Sequence, residues 1–133
     1  MKKLVEKFCA PFGLRVHKGK EFMAYPHDVY FPKHKSKYVS EGFMDYINET
    51  YPDITDVSEF TWSLLHEIGH TQTWDEFSKK DWKRYAKKAP HVHDIEEYYA
   101  IPQEHRANDW AAEYIRNHPK KIKKFEKKIK GRI

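Results

Sequence analysis

The run Asp56-Val57-Ser58-Glu59-Phe60-Thr61-Trp62-Ser63-Leu64-Leu65-His66-Glu67-Ile68-Gly69-His70-Thr71-Gln72-Thr73 decides how this chain reads. Val57, Phe60, Leu64 and Ile68 recur at the helical period, and Asp56 with Glu59 has the spacing of a capping box. The pattern predicts a helix from about Val57 to Thr73. On that helix His66 and His70 lie one turn apart, so both imidazoles project from one face. Two neutral imidazoles so placed can fill adjacent corners of a tetrahedral zinc ion. Glu67 follows the first histidine directly, which sets its carboxylate beside such an ion rather than on it. There it can take a proton from an activated water and pass it to a leaving amine.

The bland alternative is a pair of core or surface histidines. With nine His among 133 residues, a chance H-E-x-x-H arises in about one such chain in twenty. Placement inside the best-patterned helix of the chain lowers that frequency. Gly69 costs about 1 kcal/mol against alanine in a helix interior. A second segment crossing close by accounts for that cost, and a plain packing glycine does so nearly as well.

A hydrolytic zinc site takes three protein ligands and leaves one position open, so a third ligand must come from elsewhere. Downstream, Pro102 at a first-turn position opens a helix to about Asn117, with Ala107, Ala111, Tyr114 and Ile115 as its apolar stripe. Glu104 in its first turn is the candidate. Small inward neighbours, Ala107 and Ala111, let this helix lie close to the histidine helix, and Asn108 can hydrogen-bond a ligating imidazole. The alternative for Glu104 is a first-turn glutamate favoured by the helix dipole. Competing ligands are Asp109, Glu113 and the cluster His91, His93 and Asp94, the last reading better as a solvated loop. Tyr98, Tyr99 or His105 are candidates for stabilising an oxyanion.

His66-Glu67-Ile68-Gly69-His70 followed by Glu104-His105-Arg106-Ala107-Asn108-Asp109-Trp110-Ala111 resembles the ImmA/IrrE-type zincin metallopeptidases. Their second hallmark is a helix reading E-x-E-A-N-x-F-A. Glu104, Ala107, Asn108 and Ala111 match it, Trp110 takes the aromatic place, and Arg106 stands where a second acid is common. The resemblance spans about Val57 to Ile115. It implies zinc held by His66, His70 and Glu104, and Glu67 as general base. It also implies a small sheet beside the active-site helix, with an edge strand that pairs with an extended substrate. The expected activity is a zinc-dependent endopeptidase of narrow specificity cutting a protein substrate, of a kind found in bacteria and phages. Two other classes stand beside it: a non-catalytic zincin-fold binding or inhibitor protein of a phage or mobile element, and a nucleic-acid-binding module. The intact Glu67 argues against a non-catalytic scaffold.

Elsewhere the pattern predicts a short first helix to Cys9, ended by Pro11 and Gly13. Leu14–His17 and Glu21–Tyr25 read as strands joined by a hairpin turn at Lys18-Gly19-Lys20. Val29-Tyr30-Phe31 reads as a third strand, placed at an edge by Pro26 and Pro32, and is the expected substrate edge. Ser40 is the expected cap of a helix to about Asn48, and Ser78 that of a helix through Lys87 with Trp82 and Tyr85 in the core. The fold class is α+β, a small, mainly antiparallel sheet packed against an active-site helix and further helices.

Length fits one domain, read as residues 1–118 plus a basic C-terminal helix or tail, 119–133. From Pro119 onward eight basic residues face Glu126 alone, so the formal charge of +5 leaves residues 1–118 at −2. The high pI therefore belongs to the tail. Ile122, Phe125 and Ile129 give the tail a narrow stripe that suits docking on the domain, in preference to nucleic-acid or membrane contact. Lys79, Lys80, Lys83, Arg84, Lys87 and Lys88 make a second basic surface. No apolar run nears the roughly 20 residues of a membrane span, Glu6 and Lys7 interrupt any signal-peptide core, and a lone Cys9 suits a cytoplasmic setting.

Overall fold

The structure is a computed structural model that describes residues 1–33 and 42–132. It is α+β, with seven α-helices and one mixed three-stranded sheet among the described residues. In chain order these are α1 (Lys2–Cys9), β1 (Arg15–Gly19), β2 (Met23–Tyr25), β3 (Asp28–Pro32), α2 (Phe43–Thr50), α3 (Glu59–Thr73), α4 (Lys79–Lys88), α5 (Ile95–Tyr99), α6 (Pro102–Asn117) and α7 (Pro119–Ile129). None of these helices is long and apolar enough to cross a membrane.

The histidine-bearing helix α3 is the hub. It buries Phe60, Trp62, Leu64, Leu65 and Ile68 together with His66, Gly69 and His70, so it is covered on nearly every side. On one side lies the sheet, with Phe60 edge-on to Phe22 and Phe31 at 5.5 and 6.2 Å. On the other lies α6. A Cβ placed on Gly69 would stand 2.7 Å from the Ala107 carbonyl oxygen. Gly69 is therefore where two helix backbones meet, and the helix-propensity cost it carries is the condition for that approach.

Helix α3 begins two residues later than the pattern predicts. The cap is Ser58, whose Oγ accepts from the Thr61 amide at 3.3 Å, and not Asp56. Val57 lies before the helix and is buried. A glutamate from far along the chain completes the start: Glu126 of α7 accepts the Ser58 amide at 2.7 Å. Ser78 does cap α4, in a full capping box with Asp81. Helix α6 has the bounds expected for it, and α1 ends at Cys9 before a short turn closed by Gly13 at φ 67°. Ser40 lies outside the described residues, and α2 starts after Gly42.

Three expectations about the sheet are corrected. The strand order is β1-β3-β2, so β1 and β2 are not a hairpin and β3 is the central strand, not an edge. The longer pairing, β1 with β3, is parallel, so the sheet is mixed rather than mainly antiparallel. After Gly19 the chain runs past one strand width and comes back as β2. It then turns at Pro26-His27 to insert β3 into the gap. The prolines are tolerated because they sit at the ends of β3. Pro26 precedes it and Pro32 closes it, and the ladder continues through the Lys33 amide to the Gly19 carbonyl at 3.0 Å. Val29 and Phe31 are buried, as a central strand requires.

Helix α7 docks through its stripe. Ile122, Phe125 and Ile129 are buried, and Phe125 packs on Phe8 of α1 with ring centroids 4.3 Å apart.

Candidate metal centre

His66 and His70 are 6 % and 7 % exposed, and Glu104 is 2 % exposed. Helix α6 crosses α3 at Gly69 and so brings its first turn over the histidine face. Glu104 Oε1 lies 3.3 Å from His66 Nε2, and Glu104 Oε2 lies 2.7 Å from His70 Nε2. One turn further along α6, Asn108 Oδ1 accepts from His66 Nδ1 at 2.6 Å. That bond turns the His66 ring so that Nε2 points at Glu104. The two rings stand perpendicular, centroids 4.7 Å apart, each presenting its Nε2 to the same carboxylate.

Charge dictates what such a cluster can hold. With its Nδ1 proton hydrogen-bonded to Asn108, His66 can face the Glu104 carboxylate through Nε2 only if positive charge lies between them, from a second proton on the ring or from a cation. Without a cation His66 supplies it. Burial opposes a charged His66, but the adjoining Glu104 outweighs burial, and the imidazole is pushed up to about 9. For Glu104, burial alone would raise the pKa, yet the two histidines hold it far below the usual carboxylate range. With zinc–nitrogen and zinc–oxygen bonds of about 2.0–2.1 Å, ligand atoms in a tetrahedral site lie roughly 3.3 Å apart. The His66–Glu104 separation has that value, and the His70–Glu104 contact would have to open by about half an ångström. The donor set, two nitrogens and a carboxylate with Asn108 behind one ring, fits a zinc ion.

Glu67 belongs to the same cluster by distance and could itself help hold a metal ion. Its carboxylate and the two imidazoles place ligand-type atoms within 4.8 Å of one another, while part of the side chain faces open space. Poor solvation, then the negative Glu104, raise its pKa, and the two histidines pull in the other direction. On the His70 side a cleft of about 490 Å³ is bounded by Glu21 to Tyr25, Trp74, Trp82, Tyr85 and Tyr98. On the His66 side a second hollow is bounded by Phe43, Ser63 and Tyr99. Glu67, Tyr98 and Glu104 line both.

The four residues expected to act together, His66, Glu67, His70 and Glu104, are thus neighbours. The competing ligands lie elsewhere. Asp109 accepts from the Tyr51 hydroxyl at 2.6 Å and pairs with His105 at 3.1 Å. His105, more than half exposed, lines neither hollow beside the cluster. Asp94 caps α5, and Glu113 is exposed. Arg106 reaches away from the site and pairs with Glu76 at 2.9 Å, tying α6 to the turn that succeeds α3. Tyr99 lies edge-on to His66 at 5.9 Å.

The pattern misses three features of the cleft. Tyr85 is not core: its hydroxyl donates to Glu104 Oε2 at 3.4 Å and lies 3.5 Å from that of Tyr98. Trp82 is not core either. It stacks on Trp74 at 4.1 Å and forms the cleft wall with it. A signal was present: Trp82, Tyr85 and Ala86 are the apolar residues of an otherwise charged ten-residue helix, too few to anchor it in a core. The strand beside the cleft is β2, whose outer edge carries no partner strand among the described residues.

Fold and site together define an α+β chain with a buried His-His-carboxylate cluster beside a cleft and a strand edge that is unpaired among the described residues. No protein-family model matches the chain, and neither the curated proteins nor the solved structures contain a match.

Proposed function

We propose that this chain is a zinc-dependent endopeptidase of narrow specificity with a zincin-like site, as the resemblance to ImmA/IrrE-type metallopeptidases implies. The observation that carries the reading is the convergence of His66 Nε2 and His70 Nε2 on one buried carboxylate, Glu104, from a different helix. His66, His70 and Glu104 would hold the ion, and Asn108 fixes the tautomer of His66 by accepting its Nδ1 proton. When bound, zinc supplies Lewis acidity, which polarises a carbonyl and makes a neighbouring water more acidic.

The remaining work falls to the chain. Glu67, partly open to the cleft, accepts the proton of the attacking water at its carboxylate and returns it to the departing amine nitrogen. Tyr98, which lines the cleft on both sides of Glu67, is the hydroxyl best placed to donate to a developing oxyanion. Burial, then Glu104, raise its pKa well above the usual phenol value, so it stays a donor at neutral pH. The outer edge of β2 offers main-chain groups to an extended substrate by strand addition. That role passes from β3, whose two edges are already paired.

The test is proteolysis of a randomised peptide library read by mass spectrometry, with purified wild-type protein and Glu67→Gln. Discrete cleavage is expected from the wild type, inhibited by a chelator and lowered about 10²–10⁴-fold in the variant. Cleavage unchanged by Glu67→Gln, or by the chelator, would overturn the proposed activity.

A further inference from the structure

The lysines of α7 are not spread evenly. Lys121, Lys124 and Lys128 have the spacing i, i+3, i+7 and share one face, while Lys123, Lys127 and Lys130 line another, with Glu126. The first face turns toward α1, where Lys7 meets it across a groove. The lining residues are those four lysines with Leu4, Phe8, Pro11 and Phe125, and no carboxylate is among them. Two details mark the charges as set in place. The Lys121 ammonium is held over the rings of Phe8, Phe12 and Tyr114 at 5.5–5.6 Å. Lys7 stands close enough to Lys128 to draw its pKa down. Like charges crowded together await a counter-charge.

The floor narrows the choice of occupant. Phe8 and Phe125 are recessed, 4 % and 5 % exposed, below a hollow of about 180 Å³. A cavity of roughly 150 Å³ admits a benzene-sized group. A bilayer surface needs apolar side chains that protrude, and these do not. A phosphate backbone makes no use of an apolar floor. An acidic peptide with one large apolar side chain satisfies both walls and floor. We propose that the α1–α7 groove is a docking site for an acidic protein segment that rests an apolar side chain in the hollow over the packed Phe8 and Phe125 rings, with its carboxylates against Lys7, Lys121, Lys124 and Lys128. The inference is independent of the metal centre.

The experiment is fluorescence anisotropy on the full chain, with a labelled peptide of repeating glutamate-glutamate-leucine units. Three further probes accompany it: the same peptide with glycine for leucine, a single-stranded DNA oligonucleotide, and phosphatidylserine vesicles. Two variants carry the same net charge, Lys7→Gln/Lys124→Gln/Lys128→Gln and Lys123→Gln/Lys127→Gln/Lys130→Gln, all at exposed positions. The groove variant is expected to lose about tenfold or more in affinity for the leucine peptide, and the outer-face variant less than about threefold, since position and not total charge decides. The glycine peptide, the oligonucleotide and the vesicles are expected to bind more weakly than the leucine peptide to the wild type. Equal losses in the two variants, no gain from leucine, stronger binding of oligonucleotide or vesicles, or no peptide binding would each overturn the proposal.

Discussion

Glu67 and Glu104 are both carboxylates at the candidate metal centre, and their surroundings differ. Glu104 faces two imidazole nitrogens and is kept ionised; Glu67 faces the cleft in a poorly solvated position that raises its pKa. In the proposed reading Glu104 binds and Glu67 moves protons. Replacing Glu67 by Gln is therefore expected to leave zinc content unchanged while lowering turnover by about 10²–10⁴-fold, the range for a general base. Zinc content and cleavage rate measured on one preparation check this. Asn108 supports His66 from behind, and Asn108→Ala is expected to weaken zinc binding by about 10–100-fold, as read by competition with a coloured chelator. At this scale the sequence is most legible. The candidate ligand set comes from side-chain chemistry and helical spacing, both local. Tyr85 is less so, because its reach to Glu104 depends on how α4 packs.

Helices α3 and α6 make the site by packing extensively on each other, with a tight approach at Gly69. Gly69 admits the Ala107 backbone, and that crossing places Glu104 over the histidines. Gly69→Ala would gain about 1 kcal/mol of helix propensity, but its Cβ would meet a carbonyl oxygen that cannot swing aside. The clash is expected to outweigh the gain, for a net loss of about 1–3 kcal/mol in urea unfolding, together with weaker zinc binding. Such helices are readable from sequence because period, proline and cap signals lie within a few residues. Strand order is not. Lys18-Gly19-Lys20 has turn composition, yet the chain beyond it jumps past an empty strand position that β3 fills later. Nothing local encodes that jump. The start of α3 is a milder case, for Ser58 acts as cap with the help of Glu126, which is far off in sequence.

The whole molecule is closed by its first and last described helices, α1 and α7, which pack on each other through Phe8 and Phe125. Cys9 lies next to Phe8 in the chain, fully buried, and burial pushes its thiol up to about 12, with Lys121 acting weakly in the other direction. The folded-state value exceeds the unfolded one near 9. The stabilising effect of a neutral buried thiol is thus complete below pH 9 and is lost as pH rises toward 12. Urea midpoints are expected to fall over that window in the wild type and less so in Cys9→Ala. At neutral pH a thiol reagent is expected to label Cys9 at the rate of unfolding.

The proposed chemistry turns on a cation shared by side chains from two helices, α3 and α6, that pack together at Gly69. Crystals grown with zinc and measured on either side of the zinc absorption edge would locate that cation. One anomalous peak per chain is expected, within bonding distance of His66 Nε2, His70 Nε2 and a Glu104 oxygen. No peak there, or one that leaves Glu104 out of the coordination shell, would rule out the proposed centre.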